Sequence, residues 1–132
     1  MQDRPDAEEL LRTLGDFIEH ELRPALEGPL RYRSLVALNL CRILEREMRD
    51  GEDHLERQRR RLEILLGTTA PAGRVQEQVL ALSRELANRL REGQVSPEFE
   101  AQAWQVLMET TREKLAIVKP GHDDYDALEE RA

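Results

Sequence analysis

Apolar residues recur along this chain at helical spacing and are interrupted by proline and glycine, whereas no stretch alternates between apolar and polar residues. Spacings of three and four residues place side chains on one face of an α-helix, while alternation would indicate a β-strand. Residues that favour helices, such as Leu, Glu, Arg and Ala, dominate the chain, and there are only 2 Phe and 2 Tyr. The sequence therefore predicts an all-α fold without a sheet.

The breaker residues divide the chain into about five helical segments. Asp6 and Ser96 are predicted N-caps, Pro24 and the Asp50-Gly51 turn are predicted stops, and Gly67 is a predicted C-terminal stop. The predicted helices cover approximately residues 6–22, 29–49, 52–66, 74–92 and 97–118. Because the predicted connections are short, consecutive helices should pack antiparallel as an up-and-down bundle of four to five helices.

The second predicted helix, about residues 29–49, is expected at the centre of this bundle. Between residues 35 and 44 only Asn39 and Arg42 are polar, and a helix that is apolar nearly all round is normally buried. Asn39 is predicted to be a buried amide that makes a core hydrogen bond, in preference to lining a cleft. Cys41 is predicted to be a small buried hydrophobe.

The other segments each present apolar residues on one helix face. In the first segment the stripe is Leu10, Leu11, Leu14, Phe17, Ile18 and Leu22. The third segment turns Leu55, Leu62, Leu65 and Leu66 inward, and the fourth has a narrow stripe of Val75, Val79, Leu82, Leu86 and Leu90. In the fifth segment the residues sharing one face are Trp104, Leu107, Thr111, Leu115 and Val118. Gly15, inside the first segment, is interpreted as a point of close helix packing.

Length and charge indicate one domain, over residues 1–120, followed by an acidic, weakly apolar tail over residues 121–132. The net charge of −7 weighs against nucleic-acid binding, which requires a positive surface. No apolar stretch approaches the roughly 18 residues of a membrane span, and the first residues lack the apolar segment of a signal peptide. A cytoplasmic protein without membrane association is the expectation.

Motifs for known chemistries are missing from the sequence. No histidine has a glutamate three residues before it, as a di-iron bundle requires, and neither nucleotide-binding glycine motifs nor a serine nucleophile motif occurs. The acids around His54 are interpreted as a solvated helix start, and those around His122 as part of the tail. We therefore predict no catalytic residue, no cofactor and no metal site, and the sequence weighs against enzyme activity without settling it.

A run of arginines in the third segment is the main charge cluster of the sequence. Its members are Arg57, Arg59, Arg60 and Arg61. Such a cluster can bind an anionic partner, but glutamates lie four residues away from two of the arginines, in the pairs Glu56–Arg60 and Arg59–Glu63. We favour the interpretation that these arginines lie on a solvated helix face and pair with the glutamates of the same helix.

Three stretches together resemble an uncharacterised family of small bacterial helical proteins, a domain of unknown function. They are residues 4–11 (RPDAEELL), 31–40 (RYRSLVALNL) and 110–120 (TTREKLAIVKP). Members of that family are often encoded beside aminoglycoside-phosphotransferase-like kinases and acyl-CoA dehydrogenases, so the resemblance implies an accessory role in acyl-CoA metabolism. The matching positions that helix formation alone does not demand are Arg4, Asp6, Tyr32, Asn39, Lys114 and Pro120. Lys119 departs from the family motif, which more often has asparagine before the proline.

Two functions from different classes follow as hypotheses. The first is a non-enzymatic interaction module for a phosphotransferase-like kinase or an acyl-CoA dehydrogenase, which needs an exposed patch. The candidates for this patch are the narrow stripe of the fourth helix, Trp104 and Met108. The alternative is a protein that binds a small molecule or acyl chain, or an enzyme of unrecognised type. It requires a pocket between the second and fifth predicted helices on which Tyr32, Asn39 and Lys114 converge. A homodimer is compatible with either function.

Overall fold

A computed structural model describes residues 4–120 and contains only helices and loops in that range. The helical elements are α1 (Ala7–Phe17), a π-helical turn (Ile18–Leu22), α2 (Arg23–Ala25), α3 (Gly28–Leu66), α4 (Val75–Glu92) and α5 (Pro97–Val118). Since α1, the π turn and α2 follow one another without a break, the elements amount to four helices. The all-α prediction is confirmed, and the tail expected over residues 121–132 lies outside the described residues.

The second and third predicted segments form one helix of 39 residues, α3, so the turn expected at Asp50-Gly51 is wrong. A glycine inside a helix costs only about 1 kcal/mol relative to alanine, which packing on either side can offset. The Glu47 side chain lies along the helix over Gly51, with its Oε1 only 2.6 Å from the point that a Gly51 Cβ would occupy. Gly51 is buried for this reason.

Pro24 does not end the first helix where the sequence suggested. The helix continues to Ala25, and Leu26 then turns to extended backbone with φ −105° and ψ 153°. A proline inside a helix has no N–H and presses against the carbonyl four residues earlier. Ahead of Pro24 the helix widens into a π turn, in which the Arg23 N–H donates to the Ile18 carbonyl five residues back.

The predicted caps are confirmed. The Asp6 carboxylate accepts a hydrogen bond from the Glu9 N–H at 2.9 Å, and the Ser96 hydroxyl accepts one from the Phe99 N–H at 3.1 Å. Gly67 and Gly93 follow α3 and α4 in the left-handed conformation, with φ of 66° and 70°. Local capping chemistry thus sets these helix ends.

Contacts among the described residues group into two compact units, one that ends at Gly51 and one that begins at Glu52. The core of the first unit is small. It consists of Ile18 from the π turn and Leu38 and Cys41 from α3, with Leu22 packed against them. The predicted burial of Cys41 is confirmed.

Much of the second predicted helix is exposed, contrary to the burial expected all round it. The large apolar side chains of α3 that remain exposed in this stretch are Leu30, Tyr32, Val36, Leu40, Leu44 and Met48. The first segment is divided in the same way, because Leu11, Ile18 and Leu22 are buried or half-buried while Leu10, Leu14 and Phe17 are exposed. The central position of this helix in a bundle stays a prediction.

The second unit has the larger core, to which three helices contribute. Its buried residues are Leu62 and Leu66 of α3, Val79, Leu82 and Leu86 of α4, and Ala103 of α5. The predicted inward face of the third segment is confirmed at Leu62 and Leu66. The expectation that the narrow stripe of the fourth segment contributes to an exposed patch is wrong, because Val79, Leu82 and Leu86 are buried in this core.

The core face of α5 is not the one that carries Trp104, Leu107 and Val118. Ala103, Thr110 and Ile117 are buried, whereas Trp104, Leu107 and Val118 are exposed, Trp104 by 64%. Trp104 follows Ala103 and points about 100° away from it around the helix, so its indole faces outward. The expectation that Trp104 is exposed is confirmed, whereas Met108 is half-buried.

No helix within residues 4–120 has the length and apolar character needed to cross a membrane.

We predict that Gly51→Ala raises the free energy of unfolding by about 0.5–1 kcal/mol, because alanine favours the helix and only the flexible end of Glu47 has to move. The matched control is Gly67→Ala. Gly67 has a φ of 66°, which alanine adopts only with strain, so this variant should be destabilised by about 1 kcal/mol. Chemical denaturation measures both values. A lower stability of Gly51→Ala would contradict the continuous helix.

Candidate functional site

The residues proposed for a pocket are all exposed in the structure. Tyr32 and Asn39 lie on α3 within the first unit, and Lys114 lies on α5 within the second unit. The prediction that Asn39 is a buried amide is wrong, because the run around it is apolar on every side and the core takes the side of Leu38 and Cys41 instead. Its amide is open to solvent and needs no partner in the protein.

The first unit carries a shallow, open groove along the outer face of α1. Leu10, Leu14 and Phe17 supply its apolar surface, and they are 56%, 50% and 48% exposed. The polar residues that line the groove are Thr13, Asp16, His20 and Glu21. The spacing of the three apolar residues, one helical turn apart, makes a continuous apolar strip with an acidic border.

An arginine cluster ties α1 and the π turn to α3 in the first unit. Arg42 of α3 donates hydrogen bonds to Asp16 at 2.9 Å, to Glu19 at 3.0 Å and to Glu45 at 3.1 Å. Arg12 of α1 also reaches Glu45, at 3.2 Å. Residue numbers rise along α1 as those of the contacted residues fall along α3, so the two helices run antiparallel in this unit.

Gly15 is what makes room for this cluster. A Cβ at Gly15 would lie 2.9 Å from Nη1 and 3.0 Å from Cζ of Arg42. The guanidinium of Arg42 therefore rests against the backbone of α1 and, at 25% side-chain exposure, is partly shielded from water. The interpretation of Gly15 as a packing position is confirmed, and the group that packs there is a cation rather than a second backbone.

The cluster also shifts the ionisation of its members. The hydrogen bond from Arg42 holds the pKa of the Asp16 carboxyl below its ordinary value. The hydrogen bonds that Arg42 donates to Asp16, Glu45 and Glu19 raise its pKa in turn, so that Arg42 stays charged at every pH of interest. The cluster is thus a set of ion pairs that holds α1 and the π turn to α3.

Histidines near carboxylates do not form a convincing metal site among residues 4–120. Asp16, Glu19 and His20 have ligand atoms within 4.8 Å of one another, but all three are exposed and both carboxylates already bind Arg42. His54 lies inside α3 and not at a helix start, so the explanation of its acidic neighbours by helix position is wrong. His122 lies outside the described residues.

A second arginine cluster holds α3 to α5 in the second unit. Arg61 binds both oxygens of Glu113, with Nη1–Oε1 at 2.9 Å and Nη2–Oε2 at 3.1 Å, and Arg57 adds a third bond at 3.2 Å. Glu113 therefore has a lowered pKa, chiefly because of the Arg61 hydrogen bonds. Bidentate pairing of this kind is stronger and more directional than a simple surface pair.

The self-paired arginine face predicted from the sequence is correct in part. Arg59 and Glu63 form the expected pair at 3.2 Å. Arg57 and Arg61 instead reach Glu113, which is 56 and 52 residues away in sequence. Between residues 4 and 120 the structure contains no ion pair of Glu56 with Arg60.

A small, partly open pocket lies in the second unit. Its volume is about 160 Å³, and its lining is mostly apolar, with Leu62, Leu86 and Val106 among the residues that enclose it. Binding pockets for small molecules usually measure about 300–1,000 Å³. The cavity is thus smaller than an acyl chain or a cofactor requires.

Comparisons with known proteins place the chain in a family. Residues 24–122 match the family described as a domain of unknown function (DUF6285), and the chain therefore belongs to that family. No curated protein matches the chain. No solved structure matches it either. The matched range begins after α1, so the groove on α1 lies outside it.

We predict that Gly15→Ala destabilises the protein by about 1–2 kcal/mol, because the added methyl group displaces a guanidinium held by three carboxylates. The control is Gly51→Ala, which adds the same methyl group to a helix interior where the neighbouring side chain is free to move. Thermal unfolding followed by circular dichroism compares the two. Equal stabilisation of both variants would show that Arg42 does not depend on Gly15.

We predict that the Arg61–Glu113 pair makes stability depend on acid. A lowered pKa in the folded state means that the stabilisation is complete above the ordinary pKa of 4.5 and is lost as the pH falls through the folded-state value. Glu113→Gln should cost about 1 kcal/mol at pH 7 and lose less stability than wild type between about pH 5 and pH 3. Glu109→Gln is the control on the same helix, since Glu109 lies 3.6 Å from Arg61 and is more exposed. Parallel denaturation curves over that pH range would contradict the prediction.

Proposed function

We propose that this member of the DUF6285 family is a non-enzymatic accessory protein that binds a larger enzyme through the apolar groove on α1. The observation that carries the proposal is the strip of Leu10, Leu14 and Phe17, each about half exposed on one helix. Large apolar residues in a continuous strip favour association with another protein, since burying them removes apolar surface from water.

The form of the strip suits a particular mode of binding. Its three apolar residues are spaced as one face of an amphipathic helix, the arrangement by which helices insert into hydrophobic grooves of other proteins. Asp16 and Glu21 border the strip, so basic residues around the partner's groove would match them. Each of the three would bury about half of its surface on binding, and together they are expected to contribute the largest share of the affinity.

An acyl-CoA dehydrogenase or a phosphotransferase-like kinase is the proposed partner. The support is the resemblance of the chain to bacterial proteins encoded beside such enzymes. On this proposal the protein acts in the bacterial cytoplasm, in acyl-CoA metabolism.

Binding of a small molecule or acyl chain is the weaker candidate. It would need a pocket, and the cavity within the second unit is small. No observation within residues 4–120 favours this function over protein binding.

Isothermal titration of the purified chain with each enzyme tests the proposal. We expect binding to one of them with a dissociation constant of tens of micromolar or tighter, and at least a tenfold loss for Leu14→Glu. Ile64→Glu is the matched control, because Ile64 is exposed by 82% and lies in the other unit. Circular dichroism establishes that both variants are folded. Absence of binding to either enzyme, or equal weakening by both substitutions, would overturn the proposal.

A further inference from the structure

The exposed side of α3 in the first unit carries an apolar row with charges at its two ends. The row consists of Val36, Leu40 and Leu44, with Arg33 before it and Glu47 after it. All five side chains are exposed, Leu40 by 56%. We propose that this row is the interface for a second copy of the chain, whose α3 lies antiparallel across it.

The row faces away from the core of its own unit. Leu38 and Cys41 pack against the first helix. With 3.6 residues per turn, Leu40 is rotated about 200° from Leu38 and thus points to the opposite side of α3. Positions 33, 36, 40, 44 and 47 follow spacings of three and four residues, so they share that side. This is the seam that a packed pair of helices requires.

The order of the charges selects an antiparallel copy. Arg33 and Glu47 each lie seven residues from Leu40, and Val36 and Leu44 each lie four residues from it. With a two-fold axis at Leu40, Leu40 meets its own copy, Val36 meets Leu44, and Arg33 meets Glu47 twice over. A two-fold interface must match itself in this way. A parallel pair would instead bring Arg33 against Arg33 and Glu47 against Glu47, which is repulsive.

Neither charge is paired within the part of the chain that the structure describes. Among residues 4–120, Arg33 and Glu47 form no ion pair, although many other arginines of α3 do, including Arg42, Arg57 and Arg61. The small core of the first unit is a second argument, because it leaves the apolar side chains of the row in water. A second copy covers these apolar side chains and supplies an opposite charge to both Arg33 and Glu47. The symmetric order of the row therefore favours a second copy over an unrelated protein.

Sedimentation equilibrium of the full chain is the first test. We expect a dimer at about 10–100 µM, and a shift of at least tenfold toward monomer for Leu40→Glu. Ile64→Glu, which alters an exposed residue outside the row, should remain dimeric. A wild-type chain that is monomeric throughout this range overturns the proposal, as does a dimer that Leu40→Glu leaves intact.

A charge exchange tests the antiparallel register. Arg33→Glu and Glu47→Arg should each weaken the dimer, by about three- to tenfold. The double variant Arg33→Glu/Glu47→Arg should recover wild-type association, because each copy again presents opposite charges to the other. Additive weakening in the double variant would rule out this pairing even if the protein dimerises by another surface.

Cysteine crosslinking gives a readout of distance. In a Cys41→Ser background, Leu40→Cys should form a disulfide-linked dimer on mild oxidation. Arg33→Cys should not, since its two copies would lie about 21 Å apart at 1.5 Å per residue. Efficient linkage through position 33 indicates a parallel pair and would overturn the antiparallel arrangement. Because the row is separate from the groove on α1, loss of enzyme binding and loss of the dimer are distinguishable in these variants.

Discussion

Helix α3 passes through Gly51 without a break, and it contributes residues to the cores of both units. Leu38 and Cys41 belong to the core of the first unit, and Leu62 and Leu66 belong to the core of the second. A helix of this length is marginal alone and depends on packing along its sides. Among residues 4–120, one side of α3 is packed in the first unit, while in the second unit α4 and α5 contribute to the shared core. This uneven cover of α3 leaves exposed the apolar row on which the proposed dimer rests.

Arginine clusters connect the helices in both units, and each lies beside a core of different size. In the first unit, Arg42 replaces missing apolar contact by holding carboxylates from α1 and the π turn against α3. In the second unit, Arg61 fixes Glu113 of α5 beside an apolar core that is already well formed. A chain with 20 basic and 27 acidic residues thus uses part of its charge between helices and not only on solvated faces.

Helix ends were predictable because they depend on local chemistry. Helix continuity and the choice of buried face were not, because they depend on three-dimensional packing. Asp6, Ser96 and Gly67 act through neighbours three to five residues away, so the sequence reveals their roles directly. Whether the helix continues through Gly51 depends on two quantities. A glycine costs the helix about 1 kcal/mol, and packing on either side, which no local sequence pattern measures, can offset that cost. Likewise, the run around Asn39 is apolar on every side and does not indicate which side is buried.

The candidate site was less accessible to sequence reasoning than the fold. Nothing near Arg61 points to Glu113, because the two are 52 residues apart. The apolar residues of α1 are evident from their spacing, but the spacing does not show which of them stay exposed. Gly15 indicated a packing contact, since a glycine inside a strong helix implies a close neighbour. The local sequence did not identify Arg42 as that neighbour.

The burial of Cys41 has a consequence for measuring motion in this protein. Its thiol is the only one in the chain, and it lies in the small core of the first unit beside Leu38. A thiol reagent reaches it only when the first helix and α3 separate at this core, so the rate of labelling reports how often the core opens. Labelling of this one thiol therefore measures local opening of the first unit.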